Sequence, residues 1–98
     1  MLEKLAGIEQ HYEQLGRDLE EVGSDYERAA EINKERVDLE PLIKKAAEYR
    51  RSLSRLEEAR GLLESETDEE MLSLAEMEIE ELTPNIEQLE NELKSMLV

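Results

Sequence analysis

Cysteine, phenylalanine and tryptophan are absent from these 98 residues, and histidine occurs once. Without cysteine there is no disulfide framework and no thiolate chemistry, which fits a reducing compartment. The four glycines, Gly7, Gly16, Gly23 and Gly61, are scattered singly, so no glycine-rich loop can cradle a phosphate. No apolar run approaches the roughly 20 residues of a membrane span. The opening Met1-Leu2-Glu3-Lys4 lacks the basic start and apolar stretch of a signal peptide. These absences predict a soluble cytoplasmic protein with no membrane partner.

Reactive constellations are missing too. His11 neighbours a seam position and has no serine or cysteine partner in a recognisable arrangement, so it reads as an ordinary, partly exposed side chain. Glu76, Glu80 and Glu87 can share helix faces, but no Glu-x-x-His pair accompanies them, and neither a calcium-loop pattern nor zinc-ligand spacing occurs. A solvated acidic face is the simpler reading. The sequence predicts no enzymatic activity, no metal site and no cofactor.

Charge and helical periodicity fill the space that these absences leave. Charged residues make up 40% of the chain and apolar residues 39%, against 3% aromatics. Abundant Glu, Leu, Lys, Arg and Ala in periodic order points to long helices. The net charge of −15 is unevenly spread. Residues 1–33 are net −6, residues 34–60 net +2, and residues 61–98 net −11, with a single basic side chain in the last. Nucleic-acid binding over the whole surface is disfavoured, because phosphate contacts require concentrated Lys and Arg.

Three apolar seams predict three helices, at about 2–22, 25–64 and 68–97. The first seam is Leu5, Ile8, Tyr12, Leu15, Leu19 and Val22, stepping by threes and fours to a stop at Gly23. Ser24 and Glu27 form a candidate capping box for the second helix. That helix carries Ile32, Leu39, Leu42, Ala46, Tyr49, Leu53, Leu56, Arg60 and Leu63 at seam positions. Uninterrupted, it measures about 60 Å at about 1.5 Å per residue. Thr67 or Asp68 can cap the third helix, whose seam is Leu72, Ala75, Ile79, Leu82, Ile86, Leu89, Leu93 and Met96. Pro41 and Pro84 sit inside the second and third helices, where a proline costs roughly 3 kcal/mol or more. The apolar phase runs through both, so a bend is expected at Pro41 rather than a break. Short connections favour antiparallel neighbours. The predicted fold is all-α, an antiparallel three-helix coiled-coil-like bundle with one long central helix, forming a single domain over residues 1–98.

Lys44, Arg51 and Arg55 lie near one stripe of the second helix, at steps of seven and four. They are a candidate partner surface, for RNA phosphates or an acidic protein. The competing reading pairs them with the acidic third helix within the same molecule.

Several phrases carry a family resemblance. They are Tyr12-Glu13-Gln14-Leu15, Leu39-Glu40-Pro41-Leu42-Ile43, Asp68-Glu69-Glu70-Met71 and Leu82-Thr83-Pro84-Asn85-Ile86. Tyr26, Lys34-Glu35, Tyr49 and Leu74-Ala75 fall between them at matching spacings. Together they resemble the N-terminal domain of bacterial class I peptide chain release factors, of the type reading UAA and UAG. Two departures stand out: Glu69 replaces a usual proline, and Ala46 replaces a common aromatic.

The resemblance implies a domain excised from a longer multidomain factor, whose codon-reading and Gly-Gly-Gln loops lie elsewhere. It also implies docking at the stalk base of the large ribosomal subunit, mainly through protein contacts, and the class II release factor GTPase as a further partner. The surface for this is left among the stripe Lys44, Arg51 and Arg55 and the helix tips near Gly23 and residues 65–68. The competing class is a structural coiled-coil adaptor that oligomerises or binds partner helices. Monomer and weak dimer are both compatible with the seams, and the sister factor reading UGA is a third reading, against which the overall helix spacing favours the UAA/UAG type.

Overall fold

A computed structural model describes residues 1–98. The chain is all-α, as the periodicity predicts: α1 (Leu2–Glu21), α2 (Tyr26–Ser65) and α3 (Glu69–Met96), with no strand. The chain divides into two compact units, Met1–Ala46 and Ala47–Val98, and α2 contributes to both.

The α1–α2 connection is set by glycine and aspartate. Gly23 adopts φ +58°, a left-handed conformation open to glycine because it has no Cβ to clash, and it follows directly on the α1 cap residue Val22. The Val22 carbonyl accepts the Asp25 amide at 3.1 Å, which closes the turn. The α2 cap differs from the capping box expected at Ser24. Asp25 Oδ1 accepts the Arg28 amide at 3.1 Å, while Ser24 contributes its backbone carbonyl to Tyr26. The shift is physical: the carboxylate adds charge attraction to the helix N-terminus as well as a hydrogen bond.

Within the first unit α1 returns against the start of α2. Leu5 and Leu15 from α1 are buried, as are Ile32, Leu42 and Ala46 from α2. Arg36 is held in a niche on α1. Its guanidinium carbon lies 4.4 Å from the centre of the Tyr12 ring, and its Nη2 lies 3.2 Å from where a Gly16 Cβ would stand. Gly16 therefore makes room for the guanidinium against the helix backbone. The Arg36 Nε is buried without a hydrogen-bond partner, so this cation is retained by ring contact and packing. The adjacent residues His11 and Glu35 meet at 2.6 Å between Nε2 and Oε1, in the open.

Within the second unit α3 runs antiparallel to the later part of α2. Asp68 Oδ1 accepts the Glu70 amide at 2.9 Å and caps α3, and Glu66 Oε1 accepts the amides of Thr67 and Asp68. The α3 seam is as predicted through Ala75, Leu82, Ile86, Leu89 and Leu93, all buried, but Met96 is exposed. The α2 seam departs from expectation after Tyr49. Leu56 is buried as predicted, but Ser52 and Ala59 are buried in place of Leu53 and Arg60, and Leu63 is exposed. The buried residues from Leu42 to Ala59 step by 4, 3, 3, 4 and 3, shorter on average than a seven-residue repeat, so the covered stripe moves back by one position relative to the predicted seam.

Both prolines lie within uninterrupted helix. Each is exposed, as are Val37 and Glu80, whose carbonyls four residues earlier lose their amide donor. Placing the proline on the solvent face leaves those carbonyls open to hydration and keeps the apolar seam intact.

Candidate interaction surface

The middle-segment cations are distributed among three different roles. Arg36 is packed against Tyr12. Arg55 donates from Nε and Nη2 to Glu78 Oε1, at 3.0 and 2.7 Å. This is the intramolecular pairing with α3 that competes with a partner role, and it accounts for one of the three stripe residues. Arg55 is exposed and Glu78 is partly so, and solvent screening holds the pair to at most about 1 kcal/mol. Lys44 is exposed on the part of α2 within the first unit, and Arg51 is exposed on the part within the second.

The acidic third helix also meets α2 at Tyr49. The buried Tyr49 hydroxyl donates to Glu90 Oε2 at 3.3 Å, and Lys94 Nζ sits 3.2 Å from the other carboxylate oxygen. Burial pushes the Tyr49 phenol above its ordinary range, the negative charge of Glu90 and the hydrogen bond to it act in the same sense, and Arg50 opposes them.

No group of three or more His, Cys, Asp or Glu side chains is placed to hold a metal ion. No helix is long and apolar enough to cross a membrane. Glu76, Glu80 and Glu87 are all exposed.

A feature missed from the sequence lies beside the α2–α3 turn. A groove of about 310 Å³ runs between α2 and α3, floored by Ala59, Leu62, Met71 and Ala75. Leu74 and Met77 stand 58% and 62% exposed on the adjoining face of α3. The signal was available: these two apolar residues fall between the α3 seam positions Leu72, Ala75 and Ile79.

Comparison with known proteins sets this all-α architecture in context. The PCRF domain family model matches residues 8–98. The chain belongs to the PCRF domain family. Among similar relatives, a peptide chain release factor 1 from Malacoplasma penetrans is 37% identical over 94 residues, 96% of this chain and 26% of the relative. One from Nitratiruptor sp. is 39% identical over 98 residues, 98% of this chain and 27% of the relative. One from Alkaliphilus oremlandii is 40% identical over 101 residues, covering the whole of this chain and 28% of the relative. The PCRF domain thus spans about a quarter of the length of the curated relatives it matches. No solved structure matches it. The resemblance read from the tyrosine and proline phrases is borne out.

Proposed function

We propose that this PCRF domain docks and orients a peptide chain release factor on the ribosome and takes no part in the chemistry of release. The observation that carries this reading is the match of release factor 1 sequences along essentially the whole chain. The residues add a further support. The net charge of −15 disfavours broad RNA contact and favours basic protein partners.

In this account residues 1–98 act as one helical domain of a longer multidomain factor that works in the cytoplasm. The domain engages the stalk base of the large subunit chiefly through protein contacts. The class II release factor GTPase is the second partner. Lys44 and Arg51 are the exposed cations of the stripe available to an acidic patch on a partner, and Arg55 joins them only by giving up Glu78.

Charge reversal tests the surface. Lys44→Glu with Arg51→Glu, in the full-length factor, is expected to weaken ribosome association by about ten-fold at low salt, with the difference shrinking as salt rises. Arg55→Glu is made separately, with a thermal melt, because it also places two carboxylates together. Unchanged association of the double variant would remove this surface from the account.

A further inference from the structure

We infer that the groove beside the α2–α3 turn is a docking site for a cationic amphipathic helix of a protein partner. Three observations converge on it. The first is shape: between α2 and α3 lies a groove of about 310 Å³ with an apolar floor that includes Leu62 and Met71. Amphipathic helices bind by laying an apolar face into a groove of this kind.

The second is composition. Leu74 and Met77 extend the apolar surface outward at 58% and 62% exposure, although α3 has enough seam residues to satisfy its own packing. Methionine is unbranched and polarisable, and it suits surfaces that must fit a partner's side chains.

The third is charge, which selects the occupant. Glu58 and Glu78 line the groove, and Glu70 lines the neighbouring face beside Leu74. Arg55 is the one cation among the lining residues, and it is bonded to Glu78. Residues 61–98 carry a net charge of −11. A second copy seated groove to groove would bring carboxylates against carboxylates, and an anionic membrane or a nucleic acid would meet the same repulsion. A helix with apolar residues on one face and Lys or Arg along its flanks satisfies both the floor and the rim. This inference is independent of the role proposed for Lys44 and Arg51.

The test uses the whole chain and a synthetic amphipathic peptide of Leu and Lys in a helical heptad pattern. The ε-methyl groups of the four methionines serve as reporters in NMR titrations. Met71 and Met77 methyls are expected to shift on addition of the peptide, while Met1 and Met96 stay in place. An acidic peptide with the same apolar pattern should shift none of them. Leu74→Ser with Met77→Ser alters exposed positions only, and is expected to weaken peptide binding at least about ten-fold. Glu58→Gln with Glu70→Gln should weaken it and flatten its salt dependence. Glu27→Gln with Glu31→Gln, on the first unit, should leave it unchanged. Three results would overturn the inference: unmoved Met71 and Met77 methyls, undiminished binding by the Leu74→Ser, Met77→Ser variant, or methyl shifts that follow protein concentration without peptide. The last would assign the groove to a second copy.

Discussion

At the scale of the residue, the glycines separate cleanly by backbone conformation and space. Gly7 and Gly61 are in helices and have nothing within 4 Å of an added Cβ. Gly7→Ala and Gly61→Ala should each stabilise the fold by about 0.5–1 kcal/mol, read as a rise in thermal midpoint. Gly23 also has open space but sits at φ +58°, so Gly23→Ala should destabilise by about 1 kcal/mol. Space alone does not decide the sign; the dihedral does. Tyr49 gives a second residue-level prediction, in pH. Its phenol is raised above the ordinary 10.0 by burial first and by Glu90 second, so the folded state holds this proton more tightly than the unfolded chain does. The stabilisation is intact below about pH 10 and is lost as pH rises through the folded value. Urea midpoints should therefore fall as pH rises above about 10, and Tyr49→Phe should lessen that fall. An identical alkaline slope in both proteins would place the loss elsewhere.

At the scale of the element, helix ends and helix faces were legible to different degrees. The α1 stop was readable because Gly23 after an apolar stripe has one common structural meaning. The α2 start was not, because Ser24 and Asp25 are both good caps and only geometry separates them. Asp25→Ala is expected to cost about 1 kcal/mol and Ser24→Ala only a few tenths, measured by chemical denaturation. Equal costs would restore the Ser24 cap. The α3 seam was legible from Ala75 to Leu93 because its apolar residues are large and its steps alternate regularly. The α2 seam was misread beyond Tyr49, where Leu53, Arg60 and Leu63 fit a seven-residue repeat better than Ser52 and Ala59 do. Hydropathy pointed to large side chains, whereas packing selected small ones. The Arg36 niche was invisible for the same reason: Gly16 reads as a weak helix residue until an arginine is found lying against it.

At the scale of the whole molecule, family and fold class were readable, and the interaction surface was not. Both prolines stand on the exposed face of a helix, where they leave the apolar seam undisturbed. The stripe Lys44, Arg51 and Arg55 was drawn from spacing alone, which cannot tell a cation facing a partner from one committed to Glu78. The acid-rimmed groove was missed because Leu74 and Met77 look like ordinary helix content until α2 and α3 are paired. The central claim, docking without chemistry, is tested most directly by a chimera. This chain replaces the matching region of the Alkaliphilus oremlandii release factor 1, and the same factor lacking that region serves as comparison. Peptide release is measured from termination complexes over a range of factor concentrations. The account predicts that the factor lacking the region needs at least about ten-fold more protein to reach half-maximal rate, with a saturating rate within about two-fold, and that the chimera restores the lower requirement. A loss confined to the saturating rate, with an unchanged concentration requirement, would contradict it.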